Sequence, residues 1–118
     1  ARYERRQLQE ALDLCAEDID FLWSADTHYA RFSGPALGKA AFRGQLEALD
    51  RRFVYQAYTP VDIIAEGDKV AVRAVIRMRQ REGGREFLMH VADFWTVRDG
   101  KLSGLVEYYD TALAAQVE

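Results

Sequence analysis

Two carboxylates stand among apolar neighbours in the C-terminal third of the chain. Asp93 lies in Met89-His90-Val91-Ala92-Asp93-Phe94-Trp95, and Glu107 in Gly104-Leu105-Val106-Glu107-Tyr108-Tyr109. An ionised carboxylate on an apolar strand face is costly unless it is paired, or unless its pKa climbs until it holds a proton. Two carboxyls in one apolar cavity push each other's pKa apart, which suits acid–base chemistry. Trp23, Trp95 and Tyr109 are the aromatic side chains that would wall such a cavity, and His28 and Tyr29 sit in a polar stretch that would cross its mouth. Each residue also has a plainer reading. Asp93 bonds a tyrosine on the apolar side or lies near the open end of the sheet. Glu107 pairs with an arginine such as Arg31 or Arg43, Trp23 is core, and His28 is solvated.

Composition narrows the chemistry further. The chain has 118 residues, with 16 Lys and Arg against 19 Asp and Glu, a net charge of −3. That is one domain, 1–118, and a poor candidate for wrapping a polyphosphate backbone. Its apolar runs are too short to span a membrane. One cysteine, Cys15, rules out an internal disulfide, and two histidines leave too few ligands for a His-rich zinc site. The expectation is a small cytoplasmic domain with no metal and no cofactor. The sequence begins without a methionine and with no signal segment, which reads as a processed or trimmed chain.

The elements that would position the carboxylates follow from periodicity. Leu8, Leu12 and Cys15 form one stripe of a helix over 3–15. From Asp18 the period becomes two, with Ile19, Phe21 and Trp23 on one strand face. Residues 24–36 read as a loop with a short extended piece at Tyr29–Phe32. Phe42, Leu46 and Leu49 mark a second helix over 38–50, in which Gly44 suggests close approach to a sheet. From Phe53 to Asp110 the pattern is strand, with turns at Glu66-Gly67-Asp68, Glu82-Gly83-Gly84 and Asp99-Gly100. Pro60 predicts a bend or an edge strand. The tail from Thr111 is weakly helical. Helices on one face of an antiparallel meander make an α+β architecture.

Along 85–98, Phe87, Met89, Val91, Asp93, Trp95 and Val97 share one face, and Leu88, His90, Ala92, Phe94 and Thr96 the other. Both faces are apolar, so both need cover. The helices cover one, and a second copy of the chain is the simplest cover for the other. His90 and the stripe Arg73, Arg77 and Arg79 fall to that outer or solvated side. A three-residue turn at Arg98-Asp99-Gly100 would set Asp93 opposite Leu105 and diagonal to Glu107, in one cavity. A two-residue turn would flip the phase and separate them.

The run Ala65-Glu66-Gly67-Asp68-Lys69-Val70-Ala71-Val72-Arg73, followed by Asp93-Phe94-Trp95-Thr96-Val97-Arg98-Asp99-Gly100-Lys101-Leu102 and Glu107-Tyr108-Tyr109-Asp110-Thr111, resembles the SnoaL-like branch of the nuclear transport factor 2-like superfamily. Phe32-Ser33-Gly34-Pro35-Ala36-Leu37-Gly38 fits the glycine-flanked approach to that family's long helix. The resemblance covers about residues 7–115. It implies a curved antiparallel sheet folded with helices into a cone around one apolar cavity, with dimerisation through the outer sheet face. It places Asp93 where ketosteroid isomerases hold a protonated aspartate, and Glu107 near where polyketide cyclases hold an acid–base carboxylate. Trp23 stands where the isomerase has its general base, so steroid isomerisation is not implied. The family's first helix has only a stub here.

Two functions of different class follow. One is an acid–base enzyme (isomerase, cyclase, dehydratase or hydrolase) for a small apolar carbonyl-bearing or cyclic molecule. Asp93 would be its proton donor or stabiliser, Glu107 its base, and Trp23, His28, Tyr29, Trp95 and Tyr109 its substrate walls. The other is a non-catalytic ligand-binding or dimeric accessory domain. A protein-interaction role is a third.

Overall fold

The computed structural model describes residues 2–23 and 34–117. Helix α1 (Arg2–Asp13) leads into strand β1 (Cys15–Trp23); a short strand β2 (Gly34–Leu37) precedes helix α2 (Lys39–Arg52). Strands β3 (Phe53–Glu66), β4 (Lys69–Gln80), β5 (Glu86–Arg98) and β6 (Lys101–Tyr109) form the meander, and α3 (Thr111–Val117) closes the described chain. One six-stranded sheet runs β2-β1-β6-β5-β4-β3. It is antiparallel except where β1 lies parallel to β6. The expected α+β fold is therefore present. The extended piece expected at Tyr29–Phe32 lies outside the described residues.

Differences from the periodicity are local and have causes. Cys15 belongs to β1 rather than to the first helix, which stops at Asp13 with Leu14 in a turn. Cys15 still faces the core, 4% exposed. Its thiol donates to the Ala11 carbonyl at 3.6 Å. Strand β2 was not anticipated, because Gly34-Pro35-Ala36-Leu37 carries turn formers. Strand β3 runs unbroken through Pro60, which pairs with Ala74. The edge position at the end of the sheet is what tolerates a residue with no N–H to donate.

Two bulges, at Gln56 and Val61, interrupt the β3–β4 register, and a third, at Ser103, interrupts β5–β6. Each leaves one residue unpaired and reverses which residues face inward beyond it.

The inner face and the helices enclose two packed clusters. Leu12, Ile19, Phe21, Trp23, Phe42 and Leu105 form one; Phe53, Ala74, Met78, Met89, Val91 and Val117 belong to the other. Leu49 and Tyr109 touch both. On α2, Phe42 is buried and Leu46 and Leu49 pack inward as their spacing predicts. Gly44 does not approach the sheet: among the described residues, a Cβ placed there meets nothing within 4 Å. Gly44→Ala is therefore expected to stabilise the chain by about 0.5–1 kcal/mol, the helix-propensity difference, as read by chemical denaturation. A midpoint that falls would reveal a contact at that position.

Candidate functional site

The turn at Asp99-Gly100 has two residues, with Arg98 opposite Lys101 and both turn residues at positive φ (52° and 74°). Of the two alternatives the turn is thus the two-residue one, yet the carboxylates still meet. The bulge at Ser103 adds the one residue that restores the phase, so Asp93 lies directly opposite Glu107 instead of Leu105. The row continues across the sheet. Val72 of β4 flanks Asp93, and Trp23 of β1 flanks Glu107.

The two carboxyls have different surroundings. Asp93 is 3% exposed, and Tyr58 of β3 donates its hydroxyl to Asp93 Oδ2 at 3.1 Å. A tyrosine partner is what the plainer reading of Asp93 anticipated. The other oxygen, Oδ1, is buried with no hydrogen-bond donor among the described residues. Glu107 lines a cavity of about 80 Å³, well above the roughly 10–15 Å³ that one water needs. Burial pushes the Glu107 carboxyl well above the ordinary carboxylate range, and the hydrogen bond and charge of Asp93 push it in the same direction. The two carboxyls thus form a facing pair, a dyad, in which burial and the charge of Asp93 oppose ionisation of Glu107.

The remaining wall is apolar. Trp23, Phe53, Met89, Tyr109 and Val117 contribute to it, and among the described residues no Lys, Arg or His does. Tyr55 of β3 also lines it; burial first, then the charges of Glu107 and Asp50, raise its phenol above the usual range. Burial likewise raises Tyr58, helped by the Asp93 charge and by its hydrogen bond to that carboxylate.

Of the expected site residues, the structure brings Asp93, Glu107, Trp23 and Tyr109 together. Asp93 stands behind Glu107 and does not line the cavity itself. Trp95 is displaced from the expected wall: it pairs with Leu105 and packs on the Phe21 cluster. His28 and Tyr29 lie outside the described residues, as does Arg31. Arg43 is engaged elsewhere, with Gln9 at 2.6 Å and Glu47 at 3.8 Å, so it does not pair with Glu107. Tyr58 and Tyr55 were missed. They are three apart in sequence, which on a regular strand puts them on opposite faces. The bulge at Gln56 turns both inward.

No helix among the described residues is long and apolar enough to cross a membrane. A SnoaL-like domain family model matches residues 1–105. A search of curated proteins returns no significant match. Among solved structures, a nuclear transport factor 2-like protein from Burkholderia xenovorans LB400 is 25% identical, with a TM-score of 0.76 over 97% of this chain and 85% of that one. A protein of the same fold and unknown function from Burkholderia pseudomallei K96243 is 17% identical, with a TM-score of 0.84 over 98% and 87%. An LEH-like epoxide hydrolase from M. tuberculosis is 14% identical, with a TM-score of 0.72 over 92% and 74%. By its family match and its fold, the chain belongs to the SnoaL-like domain family.

Proposed function

We propose that the chain is a cofactor-independent acid–base enzyme for a small, neutral, largely apolar molecule with a carbonyl or ring oxygen. One observation carries the reading: Glu107 is the single charged-type side chain on the cavity wall among the described residues, and burial and Asp93 push its carboxyl well above the ordinary carboxylate range. A protonated carboxyl in an apolar cavity donates a hydrogen bond to an oxygen acceptor. It also repels no neutral ligand, whereas the Asp93 charge behind it disfavours an anionic one. The roles read from sequence are thereby exchanged, with Glu107 the acid and Asp93 its charged partner. In an enolisation, Glu107 gives its proton to the carbonyl oxygen. The carbon–hydrogen bond beside the carbonyl then breaks; its electron pair forms the new double bond and its proton returns to Glu107.

The test is deuterium uptake beside the carbonyl of five- to eight-carbon cyclic ketones and enones in heavy water, followed by mass spectrometry. Uptake above the buffer rate that disappears in Glu107→Gln supports the reading. If no probe exchanges, and native mass spectrometry shows none of them bound, the enzyme reading is rejected. Binding without exchange would favour the ligand-binding alternative.

We also propose that a second copy covers the outer sheet face. Leu88, Phe94 and Tyr108 are about half exposed there (51%, 49% and 51%), and the rings of Phe94 and Tyr108 meet edge-on at 6.0 Å. Exposed apolar groups collected on one face mark an association surface. Sedimentation is expected to give a dimer that Phe94→Glu dissociates; a wild-type monomer at high concentration rejects the proposal.

A further inference from the structure

The geometry points to Tyr58 as a positioning residue that decides which of the two carboxyls carries the shared proton. The inference deepens the reading of Glu107 as the proton carrier and rests on it. Tyr58 comes from the edge strand, two strands away from Asp93. Its register partner is Ile76, while Asp93 pairs with Val72, so the hydroxyl crosses β4 on a diagonal. Between Ile76 and Val72 on that inner face stands Ala74, fully buried. Its methyl is the smallest side chain that β4 turns inward, which leaves a passage for the phenol.

At the far end the hydroxyl donates to Asp93 Oδ2 at 3.1 Å. A hydrogen bond donated to a carboxylate stabilises its charged form. That bond therefore favours the charge on Asp93 and leaves the proton on Glu107. Asp93 Oδ1, which is buried and has no other donor among the described residues, is the natural acceptor for that proton. Among the described residues the groups facing the dyad are few. Tyr58 and Tyr55 come from β3 and Tyr109 from β6, with Trp23 on β1; α3 presents Ala114 and Val117, and α2 adds Leu49 to the wall and Asp50 further out. Among the described residues no cation on this wall supplies a competing bias.

The discriminating measurement is a carbon-13 NMR titration of Asp Cγ and Glu Cδ in the intact chain, wild type against Tyr58→Phe, with amide spectra confirming the fold. In the wild type, the single-proton step is expected mainly at Glu107 Cδ, above the ordinary carboxylate range. In Tyr58→Phe, amplitude is expected to pass to Asp93 Cγ. The step is also expected to move upward by about one pH unit, the size of one hydrogen bond to a charged group. A high Glu107 step that Tyr58→Phe leaves unchanged in midpoint and amplitude overturns the role of Tyr58 alone. A wild type in which neither carbon titrates above the ordinary range overturns the proton-carrier reading and the inference together.

Discussion

Glu107→Gln is expected to lose turnover by roughly 10²–10⁴-fold, the usual weight of a positioned acid–base group, and at the same time to gain stability. The second effect follows from linkage. The folded Glu107 carboxyl titrates above its unfolded value because burial and Asp93 oppose its charge. Between those two pKa values the folded chain therefore binds more protons than the unfolded chain, and stability falls as pH rises. Each unit of separation costs about 1.4 kcal/mol once the pH has passed the folded pKa. Glutamine has no such cost, and its amide N–H₂ can donate to Asp93 Oδ1 at every pH, whereas the Glu107 carboxyl can do so only while it holds its proton. The thermal midpoints of variant and wild type should run together in strong acid and separate progressively above about pH 4, near the ordinary carboxylate value. A variant that is inactive and also less stable at pH 8 would mean that Glu107 holds the sheet together instead of serving a site.

Phe21→Ala is expected to have the largest effect on the fold. Phe21 is 1% exposed; its ring sits 4.7 Å from that of Phe42 on α2 and 5.8 Å from that of Trp23. Truncating such a ring costs about 3–5 kcal/mol in lost burial and residual cavity. Domains of this kind have only about 5–15 kcal/mol to lose. A fall of roughly 10–20 °C in the calorimetric midpoint follows. The functional consequence travels through Trp23, which lies beside Glu107 in the next row and loses an edge contact. Phe21→Leu keeps most of the volume and should recover most of the midpoint. A Phe21→Ala chain that melts within a few degrees of wild type would show that the Phe42 side of the core can collapse onto the gap.

These two residues show what the sequence makes legible and what it hides. The alternation along β5 is regular, so it placed Phe87, Met89, Val91 and Asp93 inward with no need of coordinates. Phe21 follows from the same period in β1. Helical spacing likewise found the buried side of α2. The meeting of Asp93 with Glu107 was legible as a conditional, and it came true by another route. The turn had two residues, and the missing residue was supplied by a bulge at Ser103, a position with no distinguishing composition. Tyr58 was illegible for the same reason. An unpaired residue inside a strand changes which side chains face inward while leaving every local propensity intact. Trp95 failed differently. Its face was read correctly, but its row lies one step toward the hairpin end, where the Phe21 cluster fills the space.

The bulges of β3 act as a pair of compensating frameshifts. Reading inward-facing residues along the strand gives Phe53 and Tyr55, then Tyr58 and Pro60, then Ile63 and Ala65: odd, even, odd. Only the segment between Gln56 and Val61 is out of frame, and Tyr58 lies inside it. A relative could thus retain a tyrosine at this position and still withdraw it from Asp93, merely by moving one bulge past it along the strand. In this fold, the presence of a tyrosine at an aligned position does not by itself establish the hydrogen bond; the frame in which the edge strand is read must be established as well.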